Sequence, residues 1–145
     1  MDEEYAELKL ENQLCFPLYA CSKEIVRLYK PYLDELDLTY TQYISMMVLW
    51  EKKSLGVKEL GEALYLDSGT LTPLLKKLEA KGLVKRQRCE EDERCLLVSL
   101  TEKGTELKEK ALSIPGAISA YIRISEEEKS QLYDLLYKIL AELDA

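Results

Sequence analysis

Histidine is absent from this 145-residue chain. That removes Ser-His-Asp and Cys-His catalysis and any histidine-ligated metal. Only six glycines occur, with no GxGxxG and no GxxxxGKS/T, so no phosphate-cradling loop is encoded. The four cysteines include no C-x2-C pair, and zinc is not expected. No cofactor and no resident metal follow from these absences, and nothing in the chain reads as an enzyme. No apolar run approaches the ~18–20 residues that a membrane span needs. The first residues, MDEEYAELKLENQ, are acidic rather than signal-like. The expectation is a cytoplasmic protein with no membrane partner.

What is present suits a folded domain. The chain is 47% hydrophobic and 32% charged, and its length predicts one domain, 1–145. Net charge is -7, which on its own disfavours a nucleic-acid partner. Its distribution reverses that inference. Between Ser68 and Arg88 stand Lys76, Lys77, Lys81, Lys85, Arg86 and Arg88 against the single acid Glu79, a +5 island on a body of -12. Such an island attracts phosphate locally while the rest of the surface repels it. A solvated charged face would carry the same pattern.

Leu14, Leu18, Ile25 and Leu28 recur at helical spacing, which predicts an amphipathic helix over roughly 10–29, stopped by Pro31. Pro17 fits only a first turn, so the regular helix is expected to begin near Leu14 or Cys15. The segment 41–50 is apolar nearly all round and reads as a buried helix, with 52–55 as a polar connector. Val57, Leu60 and Leu64 stripe a short helix. After the turn YLD, Ser68 is placed to cap a second helix with Leu71, Leu74, Leu75 and Leu78 inward and Gly82 at its end. Two helices on so short a turn form a helix-turn-helix.

LVKRQR and CLLVSL then flank EEDER as two strands of a charged-tipped hairpin, a wing. Thr101 caps a helix to about Ser113, and Pro115–Gly116 interrupts it. The tail is a long amphipathic helix with Ser125 and Glu128 as its capping box. The fold class is therefore mainly α with a small β-wing: a winged helix-turn-helix, its DNA-binding lobe at about 55–100. Long helices at about 10–30 and 114–144 carry apolar stripes outside that lobe. They are expected to pair with a second copy in a homodimer; the alternative is a monomeric helical collar.

Ser68, Thr70 and Thr72 lie near the N-terminus of the second helix, with Lys76 and Lys77 along one side. Hydroxyls there can bond phosphates or base edges in a major groove, and the helix dipole adds attraction. Plain capping and plain solubility are the rival explanations. Arg86 belongs to the same basic island. On the wing tip, Arg94 suits a narrow minor groove, with Asp92 orienting it; an ordinary surface pair is the alternative.

Cys15 stands near a helix start, where the dipole attracts negative charge, and Tyr19 follows one turn later. Its rival role is a buried small hydrophobe. LENQLCFPLYACSKEI, YLDSGTLTPLLKKLEAKGL and EEDERCLLVSLTEKG together closely resemble the MarR family and, within it, the organic-hydroperoxide-sensing repressors of the OhrR type, along nearly the whole chain. The resemblance implies a homodimer on double-stranded, palindromic operator DNA and a peroxide-sensing cysteine at Cys15. It also implies tyrosine partners at Tyr29 and Tyr40, with Tyr19 nearby.

Tyr29 lies fourteen residues beyond Cys15, about 21 Å along one helix, so contact requires an antiparallel partner helix. Oxidation of Cys15, followed by a mixed disulfide with a low-molecular-weight thiol or by overoxidation, is then expected to release DNA. The chain has no cysteine after Cys95, which matches the one-cysteine class of these repressors. Cys21, about 240° round the helix from Cys15, is a poor partner for it. Cys89 and Cys95 face one another across the wing as paired thiols or as a redox lock. Three rivals remain: release by a small aromatic effector bound non-covalently, a thiol peroxidase, and a protein–protein module without DNA contact.

Overall fold

The amino-terminal arm is folded by its own amides. The computed structural model of the protein describes residues 3–91 and 95–144. Two 3₁₀ turns, Glu3–Leu8 and Leu10–Asn12, replace the expected helical start at residue 10. The Asn12 side-chain amide donates to the Ala6 carbonyl at 2.7 Å, and Gln13 donates to the carbonyls of Glu7 and Lys9, each at 2.7 Å. Side-chain bonds of this local kind compete with helix. Helix α1, Cys15–Asp34, therefore begins at Cys15, with Pro17 in its first turn as expected.

Pro31 does not stop α1, which runs on to Asp34. The ring removes one backbone donor, but Leu33 is buried, Lys30 pairs with Asp34 at 3.1 Å, and the Leu33 carbonyl accepts from both Leu36 and Leu38. Tertiary burial outweighs the lost bond here. Helix α2, Tyr40–Lys52, opens on a capping box between Thr39 and Gln42. It buries Tyr43, Met46 and Leu49 but leaves Met47 exposed, so it is one-sided rather than buried all round.

Helices α3, Val57–Leu64, and α4, Ser68–Ala80, form the helix-turn-helix. Tyr65 takes the left-handed conformation at φ 56°, which turns the chain between them. The cap of α4 is Asp67, not Ser68: its carboxylate accepts from the Thr70 amide at 2.7 Å, and bonds from the Thr70 side chain first and from that amide second hold the carboxyl below its usual range. Aspartate one residue earlier outcompetes the serine hydroxyl, because a charged acceptor binds an N–H more strongly. Gly82, at φ 77°, ends α4 as expected; Leu83 donates back to the Leu78 carbonyl and Gly82 to that of Glu79.

The wing has a third strand where the sequence predicts a polar connector. Strand β1, Ser54–Gly56, pairs antiparallel with β3, Leu96–Leu100, in register Ser54↔Ser99. Strand β2, Val84–Arg88, pairs with the other edge of β3, Val84↔Leu100 to Arg88↔Leu96. Met46, Leu49, Leu60, Leu71, Leu75, Leu78, Val84 and Val98 are essentially inaccessible and make the core beneath α4. Each such side chain contributes roughly 1.5–3 kcal/mol.

Helix α5, Glu102–Ala111, is capped by Thr101, as expected. Gly104 sits where its Cβ would lie 2.1 Å from the Leu83 carbonyl oxygen, so only glycine lets α5 approach the wing base. The Trp50 indole N–H donates to the Gly104 carbonyl at 2.9 Å, joining α2 to α5.

Two compact units result, Met1–Ile114 and Pro115–Ala145. The second holds most of the short helix α6, Ile114–Ser119, and all of α7, Glu126–Asp144. The Ser125–Glu128 capping box is formed, at 2.9 and 3.1 Å. Helix α7 has no buried residue, and Leu132, Leu135, Ile139 and Leu143 are all exposed. Among the described residues no helix is long and apolar enough to cross a membrane.

Candidate functional site

Cys15 is a free, exposed cysteine at the first position of α1, beyond the arm that Asn12 and Gln13 fold. Exposure removes the buried-hydrophobe explanation. Around it the surface is strongly apolar: Leu8, Leu10, Leu14, Phe16, Leu18 and Tyr19 are all exposed, Leu14 by 71%. An exposed apolar surface of this kind marks an interaction site. Cys21 is likewise free and exposed.

The tyrosines divide into two groups. Tyr19, one turn after Cys15, is 63% exposed. Tyr29 and Tyr40 meet edge to face, with ring centroids 4.9 Å apart. Because α1 is continuous, this pair lies far along the helix from the Cys15 of its own chain. Sequence reasoning missed Tyr43, whose ring lies 5.7 Å from Tyr29 and 6.3 Å from Tyr40 and which contacts Trp50 at 6.4 Å. Its position in an apolar helix reads simply as core; the signal was its three-residue spacing from Tyr40.

Burial pushes the Tyr43 phenol up to about 12, with the neighbouring Tyr29 and Tyr40 adding to the shift. Burial also raises Tyr29, with help from Tyr40, and burial raises Tyr40. All three phenols are thus held as neutral O–H groups, able to donate to an anion.

On the exposed face of α4, capping by Asp67 leaves Ser68 at the first turn, exposed with Thr70, Lys76 and Lys77; Thr72 is half-buried. The Thr70 side chain also bonds the Asp67 carboxylate. Arg86 is already engaged. Its guanidinium pairs with Glu79 at 3.1 Å, and its backbone N–H donates to the same carboxylate at 3.0 Å, clamping β2 to α4. Those bonds draw the Glu79 carboxyl below its ordinary range. Asp92 and Arg94 lie outside the described residues.

Lys81 links the two regions. At the end of α4 it donates to the Gln42 side-chain oxygen at 3.1 Å and to the Asp37 carbonyl, and pairs with the Asp37 carboxylate at 3.6 Å. Gln42 is two residues from Tyr40, so the tyrosine cluster and the end of α4 are joined through the start of α2. Beside this junction, Glu35, Leu36, Asp37, Lys81, Lys103 and Glu106 help line an open cleft of about 420 Å³. Its largely charged wall suits an apolar aromatic effector poorly. Among the described residues no acidic, cysteine or histidine group could hold a metal ion.

The wing cysteines are joined: Cys89 and Cys95 form a disulfide, with Cα atoms 5.3 Å apart.

The profile of the transcriptional regulator SarA/Rot family matches residues 27–111. The organic hydroperoxide resistance transcriptional regulator of Bacillus subtilis (strain 168) is 54% identical over 143 residues, 99% of this chain and 97% of that one. Reduced AbfR bound to DNA matches with TM-score 0.79 and 34% identity over 99% of both chains. Overoxidised AbfR bound to DNA matches with TM-score 0.77 and 35% identity, again over 99% of both. A variant of MarR from E. coli complexed with operator DNA gives TM-score 0.81 at 25% identity, over 97% of this chain and 98% of that one. With a helix-turn-helix, a three-stranded wing and full-length relatives of this kind, the chain belongs to the MarR-type winged-helix transcriptional regulators, alongside the SarA/Rot proteins and the organic hydroperoxide resistance regulators.

Proposed function

We propose that the chain is a homodimeric repressor that binds palindromic operator DNA through α4 and the wing and releases it when an organic hydroperoxide oxidises Cys15. The observation that carries this reading is the placement of an exposed Cys15 on a continuous helix far from its own Tyr29, beside a wide apolar surface. A second copy lying antiparallel would cover that surface and bring its Tyr29 and Tyr40 to the sulfur. The exposed stripe of α7 supports the same assembly.

In the reduced dimer, neutral phenols donate to the Cys15 thiolate and orient it. The thiolate attacks one peroxide oxygen; the O–O bond breaks, the alkoxide leaves and is protonated to the alcohol, and Cys15 becomes a sulfenic acid. A low-molecular-weight thiol then attacks that sulfur, water leaves, and a mixed disulfide remains. Its bulk displaces the tyrosines. The displacement passes to α4 through Tyr40, Gln42 and Lys81, and the two recognition helices lose their spacing of about 34–36 Å. Overoxidised AbfR has been solved on DNA, which favours the mixed disulfide over the sulfinic or sulfonic acid as the releasing form. In this scheme Lys76, Lys77 and Ser68 meet phosphate, Thr70 and Thr72 line the same helix face, Arg86 holds the wing against α4, and Asp92 and Arg94 serve the wing tip.

The test compares DNA retention by reduced protein, by protein treated with cumene hydroperoxide plus a small thiol, and by the Cys15→Ser variant, with mass spectrometry of the Cys15 peptide. Release by the treated wild type alone supports the scheme; release by treated Cys15→Ser overturns it.

A further inference from the structure

We infer that Cys89 and Cys95 form a second, reversible redox site, a dithiol–disulfide staple that sets the order of the wing independently of Cys15. The β2–β3 register ends at Arg88↔Leu96, and Cys89 and Cys95 are the next opposed positions. The ladder continues to them, with the Cys89 N–H donating to the Cys95 carbonyl at 3.1 Å. Their Cα atoms, 5.3 Å apart, fall within the range a disulfide spans without backbone movement. The two positions are therefore preset to bond by the hairpin itself, and they lie only six positions apart in sequence. The effective concentration of one thiol at the other is correspondingly high. Neither cysteine is buried, so oxidant and reductant both have access.

The inference rests on the reading of the chain as a regulator acting on DNA in a thiol-reducing compartment. There the pair is held as two thiols until oxidant rises. One thiolate attacks an organic hydroperoxide, the O–O bond breaks, and the alcohol leaves. The other thiolate then attacks the resulting sulfenic sulfur, the S–S bond forms, and water departs. Two electrons pass from the sulfur pair to the peroxide, and two molecules of a low-molecular-weight thiol return them by successive exchange, leaving as their own disulfide.

The bond ties the end of β2 to the start of β3, which remains paired with β1 on its other edge. Fixing those strand ends to each other before DNA arrives removes part of the ordering cost of binding. Oxidation here tightens operator binding, the sign opposite to that proposed for Cys15.

The experiment uses the full-length Cys15→Ser protein, with Cys15→Ser/Cys89→Ser/Cys95→Ser as control. After cumene hydroperoxide, peptide mapping is expected to show a Cys89–Cys95 crosslink, accompanied by loss of two hydrogens, that dithiothreitol reverses. Affinity for a fluorescent duplex selected by the reduced protein from a randomised pool is expected to rise about three- to tenfold on oxidation in the first protein only. Absence of the crosslink, failure of dithiothreitol to reverse it, or equal affinities in the two states overturns the inference. If neither variant binds any duplex, it is the reading as an operator-binding regulator that fails, and the mapping still decides whether the redox site exists.

Discussion

Cys15 and Tyr29 stand on one unbroken helix, fourteen residues apart, so about 21 Å of rigid α1 separates them within a chain. Any contact between the sulfur and this phenol belongs to two chains. In the proposed dimer that relationship makes oxidation chemistry and subunit geometry the same event, and it generates a direct prediction for Tyr29→Phe. The substitution keeps the ring edge to face with Tyr40 and deletes the proposed donor to the thiolate. Hydrogen bonds to charged groups contribute about 1.5–3 kcal/mol, so Cys15 oxidation by cumene hydroperoxide should slow about tenfold or more, with thermal stability little changed. Stopped-flow kinetics that show an unaltered rate would remove Tyr29 from the sensor.

The buried phenols predict an alkaline limit to stability. Tyr43 is raised from 10.0 to about 12, and Tyr29 and Tyr40 are raised as well. The unfolded chain ionises first, so their contribution is complete below about pH 10 and is lost as pH climbs through 12. Tyr43 alone accounts for up to about 2–3 kcal/mol over that interval. Urea denaturation at rising pH should show the decline, and Tyr43→Phe should flatten it.

Lys76 and Arg86 should behave differently on DNA. Lys76→Ala removes a proposed phosphate contact and should lower the salt dependence of operator binding by about one unit of slope. Arg86 works through Glu79, so Arg86→Ala and Glu79→Ala should weaken binding to similar extents and the double variant by no more than either alone. Fluorescence anisotropy over a salt series checks both statements.

Gly104→Ala forces a methyl group into the Leu83 carbonyl. The α5–wing contact must open, at a cost of about 1–3 kcal/mol or more. Thermal unfolding measures it; a Tm equal to wild type would mean that α5 shifts freely.

The helix-turn-helix was legible because its apolar period, its glycine stop and its basic island all agree over one short stretch. Its cap was misread by one residue, since Ser68 and Asp67 are both competent and only the folded geometry chooses the carboxylate. Strand β1 could not be read: three residues have no measurable period, and Ser54 meets its partner Ser99 only once the domain has closed. Pro31 misled because Leu33, beyond it, is buried by tertiary packing. For the proposed sensor, resemblance and helix length together point to Cys15, Tyr29 and Tyr40, whereas Tyr43 reads like any core aromatic. The facing of Cys89 and Cys95 was legible from hairpin symmetry; the sequence left paired thiols and a redox lock both open, and the folded hairpin shows the bond.

The central claim is that the sulfur of one chain answers to the phenols of another. It is tested most directly by mixing Cys15→Ser and Tyr29→Phe subunits into a heterodimer and following oxidation of its single Cys15. That Cys15 faces the intact Tyr29 of the Cys15→Ser chain, so the account predicts the wild-type oxidation rate, although the Tyr29→Phe homodimer is slow. A heterodimer as slow as the Tyr29→Phe homodimer would contradict it.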